Sequence, residues 1–225
     1  MTNHKPRLLI FASGSEDGGG SGFQKLIEAM LAGVLQAEIV GVVSNHANGG
    51  VRKIAEYFDI GFLHFPKDYT AENYRQIVRA TQANFVALSG WLKLVAGLNP
   101  ATTINIHPGP LEFGGKGMHG HHVHEAVIAA FKRGEITQSA VCMHFVTEKY
   151  DEGPVFFRMP IHLDLADTPD SLYANKIKPV EHAYQPWVTN LVVTGQIRLG
   201  EDGIVLVPEW YKSQPFCPPT AIVAL

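Results

Sequence analysis

The sequence predicts an α/β protein: an open, mainly parallel twisted sheet with helices on both faces and an antiparallel C-terminal part. Three observations carry this expectation. Short apolar runs alternate with segments of helical period through the first half of the chain; a polar, glycine-rich loop separates the first run from the first helix; and beyond residue 138 two apolar runs are joined by a short polar connector. With 225 residues, 46% hydrophobic and 17% charged, the chain is neither disordered, collagen-like nor a coiled coil. A chain of this size buries roughly 70–75% of its unfolded surface, enough for a core without disulfides. One domain spanning 1–225 is expected, with halves at about 1–100 and 101–207 and an irregular tail at 208–225.

Residues 7–12 read as a buried strand ending in the loop Ser13-Gly14-Ser15-Glu16-Asp17-Gly18-Gly19-Gly20-Ser21-Gly22. From Phe23 the period becomes helical, with Phe23, Leu26, Ile27, Met30 and Leu31 on one face. A strand at 38–44 stops at Asn45, and a helix at 51–58 follows. Residues 62–65 form a short strand, 71–82 a helix introduced by Asp68 and Thr70, and 85–88 another strand. The strand at 102–107 ends at Pro108-Gly109-Pro110, before a loop rich in Gly and His and a helix at 121–132 with Val123, Val127, Ile128 and Phe131 inward. Strands at 138–146 and 155–161 pair antiparallel. Thr168-Pro169 starts a helix that Pro179 should break or kink, and 197–207 closes as a hairpin around Glu201-Asp202-Gly203.

Lys and Arg number 18 against 21 Asp and Glu, a formal charge of −3 without the basic excess that nucleic-acid binding uses. Cys142 and Cys217 form no paired motif, which suits a reducing cytoplasm. The apolar run at 8–12 is too short for a signal-peptide core, and no later run approaches the ~20 residues of a membrane span. A cytoplasmic protein with small-molecule partners, no nucleic acid and no membrane is therefore expected.

A loop between the first strand and first helix of such a sheet offers backbone N–H groups and a helix N-terminus to an anion. The loop fits neither the G-x-x-x-x-G-K-[ST] nor the G-x-G-x-x-G template, and the second strand ends in Ser44-Asn45 without an acid for a ribose, which counts against NAD. A phosphate site and a surface loop both remain open. Within Ile104-Asn105-Ile106-His107, alternation puts Asn105 and His107 on one face at a strand's carboxyl end. Together they suit a developing oxyanion, with Asp151, in the turn before Glu152-Gly153-Pro154, as the carboxylate that supports the histidine. A core histidine beside a turn-capping aspartate is the alternative. His119, His121, His122 and His124 read either as a metal site or as a loop with one histidine near the site and the rest solvated.

In this order the motifs resemble the phosphoribosylglycinamide formyltransferases, within the wider 10-formyltetrahydrofolate transferases of Rossmann-like fold. The likeness runs from about Arg7 to Leu206, through Ala12-Ser13-Gly14, Gly20-Ser21-Gly22, Ala87-Leu88-Ser89-Gly90-Trp91-Leu92-Lys93-Leu94-Val95, Asn105-Ile106-His107-Pro108 and His144-Phe145-Val146-Thr147-Glu148-Lys149-Tyr150-Asp151-Glu152-Gly153-Pro154. It implies formyl transfer from 10-formyltetrahydrofolate, as co-substrate, to the amine of glycinamide ribonucleotide, with no metal. Asn105, protonated His107 and Asp151 would be catalytic; Gly20, Ser21 and Gly22 would hold the phosphate and Glu181 the ribose; Leu92, Lys93, Leu94, Val95, Val146 and Tyr150 would frame the folate. The chain departs from the pattern in the added Glu16 and Asp17, in Gly22 where many relatives have asparagine, in Lys93 for arginine, in Gly109 for serine, and in a longer loop at 114–124. Formyltransferases of other phosphorylated or nucleotide-sugar amines, formyltransferases of methionyl-tRNA, a silent folate- or nucleotide-binding module and a metal-dependent hydrolase are the alternatives.

Overall fold

The computed structural model describes residues 5–113 and 120–219, together with the backbone of 222–224. Seven strands make the main sheet: β1 (Arg7–Phe11), β2 (Glu38–Ser44), β3 (Phe62–His64), β4 (Phe85–Ser89), β5 (Thr103–His107), β6 (Gln138–Phe145) and β7 (Val155–His162). Their order is β3-β2-β1-β4-β5-β6-β7, parallel from β3 to β5 and antiparallel at β6 and β7. The helices are α1 (Ser21–Leu31), α2 (Gly50–Tyr57), α3 (Ala71–Thr81), α4 (His121–Lys132), α5 (Pro169–Leu172), α6 (Lys178–Val193) and α7 (Glu209–Lys212).

Alternation along β1 shows why both faces are covered. Leu8 and Ile10 join a core with Phe23, Leu26 and Ile27 of α1 and Val188 and Leu191 of α6. Leu9 and Phe11 face the other way, into a second core with Tyr74 of α3 and Trp91. A strand buried on both faces must be apolar at every position, as this one is from Leu8 onward. Each such side chain contributes roughly 1.5–3 kcal/mol by leaving water. One member of the expected α1 stripe leaves it: Leu31 is 68% exposed, because residues 31–34 run past the packed layer, while Met30 still packs on the core. α1 also begins two residues before Phe23, at Ser21, with Gly20 as its left-handed N-cap. Thr70 caps α3 as expected, its side chain accepting from the Asn73 N–H.

Strand order reverses at β1, which lies between β2 and β4, so the chain leaves their carboxyl ends in opposite directions and opens a crevice. The Ser13 N–H donates to the Gly90 carbonyl at 3.0 Å across that opening. Pro179 does disturb its helix. The ring cannot donate to the carbonyl four residues back, and the preceding turn, Tyr173–Ile177, widens into a π-helix between α5 and α6. Lys176 pins that turn through Asp164 Oδ2 at 2.6 Å and Asp167 Oδ2 at 2.7 Å.

The tail corrects one expectation. A second sheet pairs β8 (Arg198–Leu199) with β9 (Val205–Val207) as the expected hairpin, but β10 (Ile222–Ala224) adds to it in parallel and α7 precedes it. Order there comes from aromatic packing that the prolines obscure. Tyr211 is fully buried, donates to the Phe156 carbonyl at 2.8 Å, and stacks edgewise on Phe216.

Candidate active site

One cavity of about 480 Å³ opens at the carboxyl ends of β1, β4 and β5, and every residue given a catalytic, phosphate, ribose or folate role in the sequence lines it. Asn105, His107 and Asp151 lie there with Gly20, Ser21, Gly22 and Glu181 on one side, and Leu92, Lys93, Leu94, Val95, Val146 and Tyr150 on the other.

The polar corner follows from β-register. Asn105 stands directly opposite His144 across the β5–β6 pair, and β6 slips register against β7 between Met143 and His144. That irregularity turns the chain into the loop bearing Asp151, which adopts a left-handed φ of 52°; short polar side chains tolerate this conformation best. Gly153 lets the loop return: a Cβ there would collide with the Phe145 carbonyl. Asn105 Nδ2 donates to Asp151 Oδ1 at 3.3 Å and lies 3.1 Å from His144 Nε2. His144 Nδ1 is 3.0 Å from the Phe145 carbonyl, which only accepts, so Nδ1 carries the proton and Nε2 accepts from Asn105. Both amide hydrogens of Asn105 thus point at protein acceptors. Asp151 Oδ1 also lies 3.6 Å from His107 Nδ1 and 3.5 Å from His144 Nε2.

His107 is expected to be protonated, and burial in the structure works against this. Burial pushes its imidazole down to about 4; Asp151 opposes the shift without overcoming it, and His144 adds to it. Val123 Cγ1 lies 2.5 Å from where a Cβ on Gly109 would stand, and that point is 3.6 Å from His107 Nε2. Nε2 itself is buried and has no hydrogen-bond partner among the described residues.

Large side chains shape the wall expected to face the folate. Trp91 Nε1 donates to the Tyr74 hydroxyl at 3.0 Å, and that hydroxyl donates to the Leu94 carbonyl at 3.0 Å, tying the irregular segment at 91–95 to α3. Rings of Phe11, Phe65 and Tyr69 pack around Trp91, and Lys93 lies over Tyr69 at 5.9 Å. In the opposite wall the loop at 14–20 presents mostly backbone. Ser15 and Gly18 close a tight turn, with Gly18 O accepting from Ser15 N–H at 2.8 Å and Ser15 Oγ accepting from Gly18 N–H at 3.0 Å. Glu16 and Asp17 at its tip are exposed to solvent, which removes the electrostatic objection to an anion nearby. Gly50 brings the start of α2 against this loop: a Cβ there would strike the Gly19 carbonyl.

From α6, Glu181 reaches the same wall, its carboxyl pushed up to about 8 by burial against the opposing pull of Lys178. His182 Nε2 lies 3.1 Å from Ser21 Oγ, and Gln185 Oε1 lies 3.1 Å from Ser89 Oγ.

Sequence reasoning missed His144, His182 and Gln185. The alternation that placed Asn105 and His107 on one face applies equally to His144, a polar residue in an otherwise apolar strand, so that signal was present. His119 lies outside the described residues. His121 and His124 both line the cavity, where one histidine was expected, and His122 is exposed. His124 is buried and stacks on Tyr173, with burial pushing it down to about 4. Among the described residues no group of three or more His, Cys, Asp or Glu could hold a metal ion, and no described helix is long and apolar enough to cross a membrane.

A family model described as formyl transferase matches residues 7–189. The chain is 32% identical over 221 residues to a phosphoribosylglycinamide formyltransferase, chloroplastic, of Arabidopsis thaliana, covering 92% of this chain and 73% of that one. It is also similar to a crystal structure of phosphoribosylglycinamide formyltransferase from Bacillus halodurans, with a TM-score of 0.72 and 26% identity over 84% of this chain and 96% of that one. A formyltetrahydrofolate deformylase of a Corynebacterium strain is 30% identical over 179 residues, covering 76% of this chain and 58% of that relative.

Proposed function

The chain belongs to the formyl transferase family, among its phosphoribosylglycinamide formyltransferases, and we propose that it moves the formyl group of 10-formyltetrahydrofolate to the amine of glycinamide ribonucleotide, yielding formyl-glycinamide ribonucleotide and tetrahydrofolate in purine synthesis. The observation that carries this reading is the Asn105–His107–Asp151–His144 cluster at the end of β5, facing a cavity whose walls differ so sharply.

The acceptor's amine attacks the formyl carbon and negative charge grows on the formyl oxygen. Asn105 supplies one N–H to it; the longer bond, to Asp151 at 3.3 Å, is the one that the oxyanion displaces. With its imidazole neutral beforehand, His107 takes the proton shed by the attacking amine, through water, as the tetrahedral species forms, and the imidazolium then holds the oxyanion. Asp151, 3.6 Å from His107 Nδ1, supports that charge. It also assists, through water, in moving the proton shed by the attacking amine to the departing N10. The phosphate lies on the backbone of Gly20, Ser21 and Gly22 at the start of α1, Glu181 takes the ribose hydroxyls, and the pterin lies along 92–95, Val146 and Tyr150. Each half of the chain then serves both substrates, since 92–95 precedes residue 101 and Glu181 follows it. Two free cysteines support a reducing, cytoplasmic setting.

The deformylase relative favours a second reading, in which water takes the formyl group. Release of tetrahydrofolate from 10-formyltetrahydrofolate, measured with and without glycinamide ribonucleotide, separates the two. Release that needs both the ribonucleotide and His107 is expected, with His107→Ala as the control. Equal release without the ribonucleotide would overturn the assignment in favour of hydrolysis.

A further inference from the structure

Gly22 departs from the asparagine of many relatives, and the structure shows what occupies that asparagine's space. A Cβ on Gly22 would run into Ser89 Oγ and stand 3.0 Å from Gln185 Oε1. Ser89 Oγ and Gln185 Oε1 are themselves 3.1 Å apart. Three elements, the first turn of α1, the end of β4 and the middle of α6, thus meet in a polar notch beside the phosphate loop. Gln185 is only 2% exposed, yet it lines the cavity.

The amide's hydrogen bonding is half used. Ser89 accounts for one of its ends, and a hydroxyl both donates and accepts, so the amide can sit either way round. In each orientation at least one N–H remains for a ligand. Buried polar groups are nearly always satisfied, and this one lines the same cavity as Ser21.

We infer that Gln185, seated by Ser89 in the notch that Gly22 leaves, is a specificity-determining residue that donates to the acceptor's phosphomonoester, in place of a side chain from the loop. This rests on the phosphate site proposed above. α6 then grips the anion from the side opposite the α1 backbone. His182, bonded to Ser21 at 3.1 Å, stands one turn earlier on the same helix.

Calorimetric titration of ribose 5-phosphate, with ribose as the control for the sugar, tests the inference separately from the transfer reaction. Wild-type protein is expected to bind the phosphorylated sugar and not ribose. Gln185→Glu, which keeps the shape but places a negative charge against the phosphate, should weaken binding about 100-fold, and Gln185→Ala about tenfold. Ser89→Ala, a milder change that only unseats the amide, should weaken it severalfold; it decides the matter if the Gln185 variants do not fold. Binding equal to wild type in folded variants, or no preference for ribose 5-phosphate in the wild type, would overturn the inference. Loss of ribonucleotide-dependent tetrahydrofolate release in a wild type that still binds ribose 5-phosphate would instead overturn the proposed reaction and leave this one standing.

Discussion

The two walls of the cavity are built by opposite means. On the folate side, Trp91, Tyr74, Phe65 and Tyr69 brace an irregular segment through ring contacts and two hydrogen bonds at 3.0 Å. On the side proposed for the acceptor, the loop at 13–20 presents mostly backbone, with Val51 and Ile54 packed behind Gly14 and Gly20, and Gly22 and Gly50 matter for the atoms they lack. The first wall is held by groups that can be trimmed; the glycines of the second leave no room for added atoms. Substitutions should therefore fail differently on the two sides, and chemistry should depend on the polar corner between them.

The largest effect is expected where both styles meet. Gly153→Ala puts a methyl against the Phe145 carbonyl under the Asp151 loop, and a backbone clash of this kind should cost at least ~3 kcal/mol, read as a fall in the denaturant midpoint. Acid should act nearly as strongly through His107. Its imidazole titrates at about 4 in the folded protein against 6.5 in the unfolded chain. Between those values the unfolded state binds more protons, so stability falls as pH drops through that window, by roughly 3 kcal/mol in all. His107→Gln should flatten that part of the stability profile; an unchanged slope would show that His107 is not the buried neutral group.

Next comes the contrast between walls. Gly50→Ala should push the loop off the start of α2 and raise the acceptor KM about tenfold with the folate KM unchanged, since overpacking of this order costs 1–3 kcal/mol. Equal rises in both would mean the walls are not separable. Tyr74→Phe should do the reverse at smaller scale: about 1 kcal/mol of stability and a few-fold rise in the folate KM.

The same difference governs what was legible in the sequence. Strands such as β1 and β2 announce themselves because burial on both faces demands unbroken apolar runs, and Asn105 and His107 could be paired by alternation alone. Asp151 was found because the turn chemistry of Glu152-Gly153-Pro154 marks its place. The notch of Gly22, Ser89 and Gln185 joins residues far apart in the chain through a volume that is missing, and no period or motif records that. The balance at His107 is hidden for a related reason: its partner Asp151 is visible in the sequence, whereas the desolvation that opposes it arises only on packing.

Steady-state kinetics of Asp151→Asn, resolved into kcat and the KM for each substrate, test most directly whether the polar corner performs the chemistry while the walls do the binding. The expected result is a fall in kcat on the order of 10²–10⁴-fold with both KM values within a few-fold of wild type. A kcat near wild type, or losses shared equally between kcat and the folate KM, would contradict it.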